Sequence, residues 1–130
     1  MRIIPTRVHG VLDYAVALIL MVSPWLFRFA QGGIETWVPV AFGLTVIGYS
    51  LCTRYEFGLI PIIPVPIHLM LDAVGGLILA ASPWLFGFSG VVWVPHLAAG
   101  VVAIGVAALT TPVTEPEFQL NAGNRPLSPG

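Results

Sequence analysis

Four apolar runs, at about 8–27, 37–52, 66–86 and 93–110, occupy most of the chain and narrow its folding options more than any other feature. Each is close to the roughly 20 residues that cross a bilayer as a helix. Backbone amides in lipid must find partners inside the protein, so runs of this kind fold as helices. Mean hydropathy is +0.93, 8% of residues are charged and none is lysine; an ordinary soluble domain carries about 25% charge. The expected fold class is an all-α membrane protein with four transmembrane helices.

The runs are not independent. His9-GVL-Asp13-YAVALILMV-Ser23-Pro24-Trp25-LFRF aligns without a gap with His68-LML-Asp72-AVGGLILAA-Ser82-Pro83-Trp84-LFGF at an offset of 59. Trp37-Val38-Pro39 then answers Trp93-Val94-Pro95, and Gly43 and Gly48 answer Gly100 and Gly105. The chain reads as a duplicated helical hairpin. Residues 1–60 form the first hairpin repeat with the N-terminus, 61–112 the second, and 113–130 a flexible tail rich in Pro, Glu, Asn, Gly and Ser. The stretch 53–66, with Pro61, Pro64 and Pro66, is a linker between hairpins. The first run follows Arg2 and Arg7 but lacks a small-x-small cleavage site and recurs in mid-chain, so it reads as a retained span.

Two spans per repeat give the copies the same orientation, related by a pseudo-two-fold axis along the membrane normal. Arg2, Arg7, Arg54 and Arg125 then share one face and Arg28 lies on the other, which places both termini in the cytoplasm of a bacterial-type inner membrane. The lipid bilayer is the expected partner, with a homo-oligomer or a membrane protein partner as further options. A net charge of −1 offers no basic patch for nucleic acid. The single cysteine, Cys52, lies in an apolar run and reads as a small hydrophobe; it excludes an internal disulfide.

Proline lacks an amide donor and disfavours helix at the residue before it, so Ser23 and Ser82 are expected to mark a break or kink. Serine as N-cap with proline at the first helical position would restart the helix. Trp25 and Trp84, with Phe27, Phe29, Phe86, Phe88, Trp37 and Trp93, fit an aromatic belt at the outer interface, with Arg28 snorkelling into headgroups. Through Ser23-Pro24-Trp25 and Ser82-Pro83-Trp84 in duplicated apolar hairpins, the sequence resembles the SPW repeat family of small, mainly bacterial membrane proteins. The resemblance spans most of residues 8–110 and implies a multi-helix membrane protein, with no catalytic residue to carry over.

Two acids lie inside apolar runs, each four residues after a histidine: His9 with Asp13, and His68 with Asp72. That spacing puts each pair on one helix face, near the cytoplasmic end. Intramembrane ionisable groups cost a few kcal/mol if they meet lipid, so these faces should point inward. The same face of the third helix continues through Gly75, Gly76 and Ala80, and Ala99, Ala103 and Ala107 form a small-residue row on the fourth, an internal packing ridge by default. The first reading of the pairs is interhelical polar glue in a structural or accessory protein with no cofactor. The runner-up is a metal site on His9, Asp13, His68 and Asp72, or a haem with His9 and His68 as axial ligands. A proton or small-solute pathway through an oligomer is third, although the outer halves of the helices show no polar route. His96, where the first copy has Val40, is expected at the outer, water-accessible end. Ser-His-Asp catalysis finds no support, since Ser23 and Ser82 sit at the opposite end from both pairs.

Overall fold

The computed structural model describes residues 2–112, and the tail expected at 113–130 lies outside them. Four helices follow one another: α1 (Thr6–Leu26), α2 (Ile34–Leu51), α3 (Val65–Leu85) and α4 (Val94–Leu109). Among the described residues there are no strands, only two isolated bridges, Ile4 with Thr110 and Thr53 with Ile63. The first three helices are long and apolar enough to cross a membrane. The fourth has 16 residues, about 24 Å of helix, and is shorter than the span expected there.

Packing is closest within the pairs α1 with α2 and α3 with α4, and looser between α2 and α3 and between α1 and α4. Small residues set both close crossings. A Cβ on Gly43 of α2 would stand 2.6 Å from the Ala17 carbonyl oxygen of α1. One on Gly100 of α4 would run into the Gly76 carbonyl and stand 2.6 Å from the Ala80 amide of α3. Ala103 faces Gly76 in the same crossing, so the alanine row of α4 packs internally. Gly75 lies outside that contact, its nearest neighbour being Phe42.

The polarity is inverted relative to a water-soluble domain. Leu18, Ile19, Val22, Leu44, Leu77 and Val101 are exposed, whereas His9, Asp13, His68, Asp72, Thr53 and Thr110 are buried. Three helices of spanning length with apolar flanks and a polar interior point to an integral membrane protein.

The extended segments before α1 and α3 are tied crosswise. Amides of Ile3 and Ile4 donate to the Leu109 carbonyl at 2.8 and 2.9 Å, and Thr111 returns a bond to Ile4 at 3.0 Å. Amides of Ile62 and Ile63 donate to the Cys52 carbonyl at 3.0 and 2.7 Å, and Arg54 returns a bond to Ile63 at 2.9 Å. The segment leading into α1 is thus held by the end of α4, and the one leading into α3 by the end of α2.

The Ser-Pro-Trp elements do not break the helix where the proline rule places the break. Helices α1 and α3 run through Pro24 and Pro83 and stop only at Leu26 and Leu85. Proline leaves the carbonyl four residues back without its helical donor. Here the preceding serine supplies one: Ser23 Oγ donates to the Leu20 carbonyl at 2.8 Å, and Ser82 Oγ to the Leu79 carbonyl at 2.7 Å. Neither serine is an N-cap. The helices end instead by a left-handed residue, Arg28 at φ 58° and Gly87 at φ 76°, after which Phe29 and Phe88 donate back to the proline carbonyls at 2.9 and 2.8 Å. This is a Schellman closure.

Candidate functional site

The N-terminal parts of α1 and α3 bring His9, Asp13, His68 and Asp72 into one buried cluster, with a potential ligand atom from each lying within 4.8 Å of the others. His9 Nε2 lies 2.8 Å from Asp72 Oδ2 and 3.1 Å from Asp13 Oδ1. His68 Nε2 lies 2.9 Å from Asp13 Oδ2 and 3.2 Å from Asp72 Oδ2. The shorter contact of each histidine reaches across to the other helix. The rings meet edge to face, centroids 5.3 Å apart.

Two threonines decide how the rings carry their hydrogens. Thr110 Oγ1 donates to the Val106 carbonyl and Thr53 Oγ1 to the Tyr49 carbonyl, both at 2.6 Å. Each hydroxyl has spent its one hydrogen, so toward histidine it can only accept. His9 Nδ1 therefore donates to Thr110 and His68 Nδ1 to Thr53, both at 2.7 Å. Both Nε2 atoms are left facing the carboxylates. Two phenols complete the surround: Tyr49 donates to Asp72 Oδ1 at 2.5 Å and Tyr55 to Asp13 Oδ2 at 3.0 Å.

Tyr55 belongs to the linker between α2 and α3, which folds over the cluster. Tyr14 Oη donates to the Phe57 carbonyl at 2.9 Å and Thr6 Oγ1 to Glu56 at 3.0 Å, pinning the linker to α1. Burial, helped by the Asp13 charge, raises the Tyr55 phenol above its ordinary range. It stays a donor through neutral pH.

A cavity of about 270 Å³ opens beside the cluster, bordered at one end by His9, Asp13, Tyr49 and Asp72. Further along, its wall is apolar, with Leu20, Phe42, Leu79 and Ala99. The slot between the two histidines holds both carboxylates within hydrogen-bond distance of each Nε2, which leaves no width for a porphyrin.

The remaining sequence candidates lie elsewhere. Trp25 stacks edgewise on Trp37 (6.3 Å) and Trp84 meets Trp93 (6.0 Å), at the opposite end of α1 and α3 from the cluster. His96 is not open to water as expected; it is buried between Phe29 and Phe88, ring centroids 5.5 and 5.0 Å away. Helix ends that fold inward through Arg28 and Gly87 carry these phenylalanines over it.

Four partners of the cluster were not singled out from sequence: Thr53, Thr110, Tyr49 and Tyr55. The threonines had a signal, since they share the offset of 57 that relates Gly43 to Gly100. The tyrosines had none, because Val106 and Pro112 stand at that offset from them.

A small helical membrane protein with a polar centre buried between two hairpins is the class that this fold and site define. Within it, the chain belongs to the SPW repeat family: the SPW repeat domain matches residues 7–110. No curated protein and no solved structure matches the chain.

Proposed function

We propose that the chain is a structural or accessory membrane protein whose two hairpins, 1–60 and 61–112, are latched by a reciprocal His-Asp clasp. The observation that carries this reading is the crossing of the contacts: His9 of α1 to Asp72 of α3 at 2.8 Å, and His68 of α3 to Asp13 of α1 at 2.9 Å. Looser helix contacts between the hairpins than within them leave the polar ties to fix their register. Burying four ionisable side chains is costly unless they satisfy one another; with each Nδ1–H held by a threonine, they do so here when each ring is an imidazolium that donates its Nε2–H to a carboxylate.

In this reading the hairpins are duplicated copies in one orientation, related by a pseudo-two-fold axis along the membrane normal. The crosswise ties at Leu109 and Cys52 and the paired His-Thr contacts obey that relation. All four helices cross, the clasp and both termini lie on the cytoplasmic side of a bacterial inner membrane with Arg2, Arg7 and Arg54, and the Ser-Pro-Trp ends lie at the outer interface.

A double-mutant cycle tests the clasp. His9→Asn, Asp72→Asn and the pair are unfolded in mild detergent, with Asp13 and His68 as a second cycle. The expected coupling is on the order of 0.6 to 1.7 kcal/mol per cross-hairpin pair. His9→Asn with His68→Asn should still fold. Additive losses with no coupling would overturn the clasp.

A further inference from the structure

We infer that His9, Asp13, His68 and Asp72 form a binding site for one divalent first-row transition-metal ion, of the class of Zn²⁺, Co²⁺, Mn²⁺ or Fe²⁺. The inference rests on the clasp only in using the same four side chains, and it adds an occupant to them.

The donor set comes first. Two imidazole nitrogens and two carboxylates on facing helices, with ligand atoms within 4.8 Å of one another, make the N₂O₂ set that borderline divalent ions take. Without a thiolate it does not select soft ions such as Cu(I). The four side chains are themselves buried, and the set borders the largely apolar cavity beside it rather than bulk solvent.

Charge points the same way. With neutral rings, two carboxylates leave −2 at a point surrounded by apolar helices, and positive charge has to stand between them and the Nε2 lone pairs. One divalent ion makes the centre neutral. Two imidazolium hydrogens would do so as well, so the second layer of contacts carries the argument further.

A metal-bound histidine typically donates its other ring N–H to an acceptor that fixes its tautomer and aim, and ligating carboxylates are themselves hydrogen-bonded. Every element of that layer is present. Thr110 and Thr53 hold the Nδ1–H groups of His9 and His68, each threonine fixed by its own bond to a helix carbonyl. Tyr49 and Tyr55 each donate to one carboxylate. The only ring atoms left to coordinate are the two Nε2 atoms, and both face the carboxylates.

The test uses the full chain in mild detergent, stripped with a chelator and titrated with Co²⁺ and then Zn²⁺. Co²⁺ should bind one per chain with visible ligand-field bands, and Zn²⁺ should displace it. His9→Gln with His68→Gln, shown to be helical by circular dichroism, should lose the bands. Thr110→Val and Thr53→Val keep all four ligands and should weaken binding by about 10- to 100-fold, an effect a hydrogen-bonded clasp alone would not produce. Folded wild-type protein that takes up no Co²⁺ or Zn²⁺ overturns the proposal, as does binding unchanged in the double histidine variant. Either result leaves the clasp standing if the cycle measured in chelator still shows coupling; absent coupling with metal bound would instead overturn the clasp alone.

Discussion

The Ser23 hydroxyl stands 2.8 Å from the Leu20 carbonyl oxygen, the one helical acceptor that Pro24 cannot serve. Ser82 and Leu79 repeat the arrangement before Pro83. Serine and proline thus act as a unit that lets the helix pass through a proline in lipid, where an unpaired carbonyl has no water to turn to.

Ser23→Ala should therefore cost about 1 kcal/mol in detergent unfolding, by leaving the Leu20 carbonyl unpaired. Adding Pro24→Ala should recover most of that loss, since alanine returns the missing amide. Failure of this rescue would show that the hydroxyl acts in some other way.

Gly100→Leu should destabilise by about 1–3 kcal/mol, because the new side chain must push α4 away from Gly76 and Ala80. Gly48→Leu is the control, as a Cβ there meets nothing within 4 Å. The comparison is read from unfolding midpoints of the two variants; equal midpoints would contradict the close crossing.

Thr110→Val removes the acceptor of the His9 Nδ1–H and should cost roughly 1–3 kcal/mol, the penalty of a buried donor left without a partner. Thr110→Ser keeps the hydroxyl and should sit close to wild type. Matching behaviour is expected at Thr53 with His68. Equal stability of the Val and Ser variants would remove the threonines from the account.

Tyr55 sets an alkaline limit. Its phenol is raised by burial, so its folded value lies above the unfolded one near 10. Stability from this group is fully present below about 10 and is lost as pH rises beyond it toward the folded value. Tyr55→Phe should flatten the alkaline limb of a stability profile recorded from pH 8 to 12. An unchanged limb would count against the buried phenol.

The helical class, the pairing of His9 with Asp13 and of His68 with Asp72 on inward faces, and the small-residue contact at Gly76 and Ala80 could be read from the chain, because they depend on helix spacing and on the repeat, whereas the α1–α2 crossing at Gly43 could not. The course of the helix through Pro24 could not, since the proline rule describes the backbone and omits a neighbouring hydroxyl able to replace the lost bond. The site of His96 depended on how the chain turns after Leu85 and Leu26, where Arg28 takes a conformation more often given to glycine. Tyr49 and Tyr55 reach the carboxylates only through the docking of α2 and its following linker, and the duplicated pattern has no tyrosine to match them.

His9 depends for its two shortest contacts on Thr110, 101 residues away, and on Asp72, 63 residues away. During synthesis the first hairpin therefore leaves the translation machinery before its own histidine has either partner. At that stage His9 has only Asp13 of its own helix, 3.1 Å away; Asp72 arrives with α3 and Thr110 after α4, so completion of this protein is a ring closure in which an early residue is fully satisfied last.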